Sequence, residues 1–208
     1  MKNLVIISTL FVIGSLIGWI IELFFRRFVS QKKWMNPGFL TGPYLPIYGF
    51  GVLVLYAVSN IPMGITRKIL EIVIRILIIG VGMTVVEFIA GLIFIKGLKV
   101  KLWDYSDRKG NIMGIICPSF SLIWLIVGSL YYFFLNPFLV DSISWISENL
   151  IYTYFVGMVM GAMAVDFAYS IHLITKLKIY KEIANLRFED FKKELRNRIK
   201  QLRQNKEK

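Results

Sequence analysis

The chain has 208 residues, 56% of them hydrophobic and 15% aromatic, with a mean hydropathy of +0.63 and a formal charge of +12. A soluble domain of this length could not hide so much apolar surface. The basic residues fall between and after apolar runs, where membrane topology alone collects them, so no nucleic-acid partner is expected. Single Cys117 and single His172 leave no intramolecular disulfide, no cysteine-based zinc site and no histidine-rich centre, so no metal site is expected either.

Five apolar runs follow in order: Leu4–Phe25, Pro43–Asn60, Ile72–Ile95, Gly114–Leu135 and Ile151–Ile174. A hydrocarbon core about 30 Å thick takes about 20 residues at helical rise. Only a helix satisfies its backbone groups within one segment in lipid. The expected fold is an all-α polytopic membrane bundle of five transmembrane helices, residues 1–175. A basic amphipathic cytoplasmic helix, residues 176–208, should follow it.

The first run imitates a signal peptide, but no small-x-small cleavage site follows and the run continues to Phe25 before stopping at Arg26-Arg27. It reads as an uncleaved helix. Gly14-x-x-x-Gly18 within it, and Gly157-x-x-x-Gly161 in the fifth run, each place two glycines on one face, a pattern that lets backbones approach closely.

Between the first two runs, Asn36–Gly51 carries Pro37, Pro43 and Pro46 with Gly38, Gly42, Gly49 and Gly51. Proline and glycine at this density resist a regular helix, yet Phe39, Leu40, Tyr44 and Tyr48 do not suit a solvated loop. Irregular apolar backbone belongs where protein buries it, so this segment should fold back into the cytoplasmic mouth of the bundle. After the third run, Trp103-Asp104-Tyr105-Ser106 suits the headgroup level, with Asp104 capping a turn or binding a cation.

Basic residues set the orientation. Arg26, Arg27, Lys32 and Lys33 follow the first run; Lys96, Lys99, Lys101, Arg108 and Lys109 follow the third; Asp141 and Glu148 stand between the fourth and fifth. This pattern places the N-terminus outside and the C-terminus in the cytoplasm of a plasma-membrane protein. Arg67, Lys68 and Arg75, offset by Glu71, violate it.

Three acids fall inside runs, where each costs several kcal/mol if it faces lipid. Glu22 lies four residues before Arg26, about 6 Å; Glu87 nine before Lys96, about 13 Å; Asp166 ten before Lys176, about 15 Å. All three should face the interior of the cytoplasmic half, Glu87 and Asp166 nearly level. Glu22 has Arg26 one turn on as an ion-pair partner. Glu87 and Asp166 have none so close, and read either as the lining of a wet cavity or as helix–helix hydrogen-bonding groups.

From Lys176 onward, 12 Lys or Arg stand against 5 Asp or Glu. Leu177, Tyr180, Ala184, Phe188, Phe191, Leu195, Ile199 and Leu202 recur with an eleven-residue period, the pattern of one amphipathic helix. Glu189–Lys193 and Glu194–Arg198 are i,i+4 pairs along it. The tail suits the anionic leaflet, or a partner protein or second copy.

Trp19-x-x-Glu22, the string Asn36-Pro-Gly38-Phe-Leu-x-Gly42-Pro43-x-x-Pro46-Ile-Tyr48-Gly49-x-Gly51, then Trp103-Asp104-Tyr105-Ser106 and Asn111-x-x-Gly114 resemble the ABC-transporter type IV (CmpB-like) permease family. Glu87 matches that family's acidic position in the third span. The likeness covers roughly residues 10–175; Cys117-Pro118 departs from it, since an apolar residue is expected after the cysteine. It implies a multi-pass permease component for an unidentified solute; in a transport subunit these residues and Asp166 are the candidates for the pathway, with Glu87 and Asp166 contacting the solute or a coupling proton. The chain holds no Gly-x-x-x-x-Gly-Lys-Ser/Thr loop, so ATP would bind a separate ATPase subunit and no cofactor is expected in this chain. A permease this small also implies a homodimer or larger complex within the lipid bilayer. Two other readings stand: a scaffold or sensor recruiting partners through the tail, and a lipid-directed enzyme with Glu22 or Glu87 as base and Tyr48 or Tyr105 as donor. No Ser-His or Cys-His pair supports the last, and no catalytic residue is assigned.

Overall fold

The computed structural model describes residues 2–206, which form helices joined by turns and one isolated bridge between Ile112 and Ile116. The chain divides into two units, Met1–Phe167 and Ala168–Lys208.

In the first unit α1 spans Lys2–Phe25 and passes into a π-helical turn, Arg26–Ser30. Helix α2 spans Pro46–Asn60, α3 Lys68–Leu92, α4 Pro118–Leu130 and α5 Asn136–Glu148; α6 begins at Leu150 and runs to Lys206. Two of these starts are later than the apolar runs imply. Leu45 and Cys117 are extended, and the prolines that follow them occupy the first helical turn. The pre-proline residue is pushed out of the α region and the proline ring is preformed for the first turn, so the helix begins there. The second run is thereby cut to a helix of 15 residues, about 22 Å at helical rise.

Four segments are long and apolar enough to cross a membrane among the described residues: Asn3–Ser30, Lys68–Leu98, Pro118–Ile143 and Ile151–Lys193. Helix α2 is apolar but shorter.

Helix α1 packs on α2, α2 on α3, and α3 on α4. Small residues make the first contact close. A Cβ on Gly14 would come within 2.8 Å of Val52, one on Gly18 would fall into the Tyr48 ring, and one on Gly49 would meet Phe11 and Ser15 of α1. The glycine pair expected to bring helices together in α1 does so. Gly157 and Gly161 meet nothing within 4 Å. Val12, Leu40, Tyr44 and Met163 form one buried cluster; Leu55, Ile79, Met83 and Tyr131 form a second.

The second unit is helical over its described length and carries Leu177, Tyr180, Phe188, Phe191 and Leu195 as exposed side chains. Glu189 pairs with Lys192 at 3.9 Å, one residue short of the Lys193 partner expected from spacing. The side chains of Ile199 and Leu202 and the Glu194–Arg198 pair lie outside the described residues.

Candidate functional site

The proline-glycine segment folds back into the bundle, with Leu40, Tyr44 and Leu45 buried. Asn36 organises it. Its carboxamide oxygen accepts from Trp19 Nε1 at 2.9 Å and from the Gly38 amide at 3.1 Å. Its NH2 donates to the carbonyls of Leu40 at 2.8 Å and Thr41 at 3.1 Å. Every donor and acceptor direction of the side chain is thus used to bend one stretch of backbone against α1. The Leu45 amide then donates to the Ser15 carbonyl at 2.9 Å.

Asp166 closes the same segment. Its carboxylate accepts from the Thr41 amide at 3.2 Å, the Thr41 hydroxyl, the Gly42 amide at 2.8 Å and the Tyr44 hydroxyl at 2.8 Å. A Cβ on Gly42 would fall on the Tyr44 ring and displace it from Asp166. Pro43, between them, is exposed. Charge-assisted bonds from backbone amides are stronger than neutral ones, so an acid that lipid would reject becomes the anchor of a loop.

A second arrangement joins Glu22, Tyr48 and Glu87. Glu22 accepts from Arg26 Nε at 3.1 Å, the local ion pair its spacing predicts, and from the Tyr48 hydroxyl at 3.0 Å. Pro46 starts α2 so that Tyr48 lies over the Gly18 backbone. The Tyr48 ring meets Trp124 edge-on, centroids 6.4 Å apart. Trp124 Nε1 donates to one oxygen of Glu87 at 3.0 Å, and the Tyr105 hydroxyl donates to the other at 3.0 Å. Glu87 is 5% exposed. Among the described residues no Lys or Arg pairs with it.

Tyr105 is held from outside α3. Its ring stacks on Phe120, centroids 4.3 Å apart, and its amide donates to the Gly114 carbonyl at 2.9 Å. Trp103 Nε1 donates to the Ile115 carbonyl at 2.8 Å. Asp104 accepts from Lys101 at 2.8 Å and from the Ser106 amide at 3.0 Å and hydroxyl at 2.5 Å. Asn111 donates to the Ser106 and Arg108 carbonyls and accepts from the Gly114 amide at 3.0 Å. Gly114 sits at φ +68°, and a Cβ there would press on Ser106 and Asp104. The two separate motifs, Trp-Asp-Tyr-Ser and Asn-x-x-Gly, are therefore halves of one knot that aims Tyr105 at Glu87. The Lys101 and Ser106 donors hold the exposed Asp104 carboxyl down to about 2; burial, then the nearby Glu87, push the Tyr105 phenol well up.

Of the three acids, Glu22 and Glu87 share one aromatic-lined arrangement, whereas Asp166 is held by residues 41–44. Glu87 makes an interhelical hydrogen bond, to Trp124, whereas Asp166 bonds to the loop before α2.

Sequence reasoning missed Thr41, Tyr44 and Trp124 as partners of the acids. A mid-run Trp whose indole N–H must find an acceptor was the available signal for the last. Arg75, one of the three cations outside the orientation pattern, faces protein. It is 4% exposed and donates to the Val58 carbonyl, to the Ser59 carbonyl at 2.8 Å and to Glu71 at 2.5 Å. It therefore caps the end of α2, whose last carbonyls lack partners within the helix.

A family model described as "Putative ABC-transporter type IV" matches residues 9–171. No curated protein and no solved structure matches the chain. The match takes in Glu22, Glu87, Asp166 and both motif loops, and the chain belongs to that family of membrane-transporter-related proteins.

Proposed function

We propose that this family member is the permease component of an ABC transporter, moving a polar or cationic solute with ATP hydrolysed on a separate subunit. The observation that carries the reading is Glu87: a carboxylate 5% exposed inside a membrane-length helix, held by Tyr105 and Trp124 rather than by a cation. Ionisable residues placed so deeply in membrane helices mark solute or proton routes. In this reading Glu22, Tyr48 and Glu87 form the route, and the packed aromatics represent its closed condition. The loops around Asn36 and Asn111 flank the route and meet the ATPase.

The proposed topology has five crossings, α2 being the short one, with the N-terminus outside and the C-terminus in the cytoplasm. Residues 1–175 form the membrane domain in the plasma membrane and 176–208 the basic helix, and two copies assemble in the working transporter. Family membership supports the permease assignment. The test is purification of the full chain from its native membranes: a phosphate-loop ATPase should co-purify in fixed ratio and hydrolyse ATP. Intact protein recovered repeatedly with no nucleotide-binding subunit would overturn it.

The exposed apolar side chains of the second unit favour a second reading, a scaffold that recruits partners through its tail. Deleting 178–208 separates the two. A scaffold loses all function, whereas a permease that reaches the membrane keeps its transport.

A further inference from the structure

Helices α2 and α3 are joined at the end remote from Glu87 by residues 61–67, with Gly64 at φ +65°. Beside this turn lies a groove of about 390 Å³, lined among others by Val58, Ile61, Pro62, Met63, Ile74 and Ile78. Its volume falls within the range of about 300–1,000 Å³ usual for small-molecule sites, but it offers no polar side chain to orient a polar ligand. An aliphatic chain fits that lining. On α3 the lining residues Ile74 and Ile78 come six and ten residues after Lys68, about 9 and 15 Å along the helix.

The rim has the opposite character. Arg67 precedes α3 and Lys68 opens it, and both are exposed. Glu71, one turn on, would be their natural counter-charge, but Arg75 holds it at 2.5 Å. Arg75 is in turn fixed to the α2 carbonyls, so this pairing is not free to exchange. Among the described residues no acid pairs with Arg67 or Lys68. The start of a helix adds positive potential of its own. Two cations with no acid partner among the described residues thus stand at the start of a helix long enough to cross a membrane, beside an apolar slot.

We propose that the α2–α3 hairpin end is a binding site for an anionic phospholipid, its phosphate on Arg67 and Lys68 and one acyl chain in the groove. The site is independent of the permease reading and of which side of the membrane this end faces. It also gives these two cations, unexplained by topology, a physical role.

The test uses full-length protein in detergent, titrated with phosphatidylglycerol or phosphatidylcholine of identical chains and read by native mass spectrometry. Phosphatidylglycerol should be retained at several-fold lower concentration. Each juxtamembrane cation contributes a factor of about five to anionic-lipid binding, so Arg67→Gln with Lys68→Gln should weaken retention by tenfold or more. Ile74→Trp, which fills the slot and leaves the charges, should also weaken it. Arg108→Gln with Lys109→Gln removes equal charge from an exposed turn and should not. Equal retention of both lipids, equal loss in the two charge variants, no effect of Ile74→Trp, or a doubled mass in place of lipid adducts would each overturn the proposal.

Discussion

Replacing Glu87 by Ala and by Gln separates what its hydrogen bonds do from what its charge does. Ala removes both acceptors, leaving Trp124 Nε1–H and the Tyr105 hydroxyl without the partner each holds at 3.0 Å. Interhelical hydrogen bonds within membranes contribute about 0.6 kcal/mol on average and up to about 1.7. Losing two therefore costs about 1–3 kcal/mol, and the missing side-chain volume adds a cavity cost. Gln is different because the two donors are not alike. Indole nitrogen can only donate, so the amide oxygen must turn to Trp124; the amide NH2 then faces a hydroxyl that can accept as readily as donate. Glu87→Gln should accordingly cost less than about 1 kcal/mol. Tyr105→Phe should turn that mild change into a severe one, because the amide NH2 would then have no acceptor. Thermal unfolding of the purified variants in one detergent, with the four-member Glu87/Tyr105 cycle, gives the numbers. Gln as damaging as Ala, or Glu87→Gln and Tyr105→Phe simply adding, would refute the derived geometry.

Asp166→Asn takes away one of the two oxygens that accept from Thr41, Gly42 and Tyr44, and should destabilise by about 1–3 kcal/mol. Limited proteolysis within residues 36–45 should rise in step; unchanged protection would contradict the anchoring role. Arg75→Lys should lose most of the stability lost by Arg75→Met, because a single ammonium cannot reproduce the fork that serves Val58, Ser59 and Glu71 together; the comparison is made by unfolding midpoint. Asp104 has a carboxyl lowered from an ordinary value near 3.8 to about 2, so its contribution is full above about pH 4 and is lost as pH falls through about 2. Carboxyl-carbon NMR should show that midpoint, and Lys101→Gln should raise it.

Much of this architecture was legible as hydrophobic length. The first, third and fifth runs became the cores of α1, α3 and α6 because nothing within them stops a helix. The ends were less legible: Pro43 and Gly114 lie in apolar company, and only the geometry imposed by Pro46 and Pro118 decides where the backbone turns helical. Residues of the site were found by their incongruity, as acids in greasy runs and as a proline-glycine string with aromatics. Their partners were not, because Trp124 and Tyr44 look like ordinary membrane aromatics until the chain brings an acceptor to them. Arg75 shows the limit from the other side: charge counting along the chain cannot distinguish a cation that faces water from one that caps a neighbouring helix.

Solute movement through the route at Glu87 is the most direct test of the permease assignment. Membrane vesicles holding the full transporter, with wild-type chain or Glu87→Gln at equal abundance, are compared for ATP-dependent flux across a panel of polar and cationic solutes. At least one solute should be moved by the wild type and not by the Glu87→Gln protein, folded and still bound to its ATPase. Equal flux through both proteins for every solute moved would contradict it.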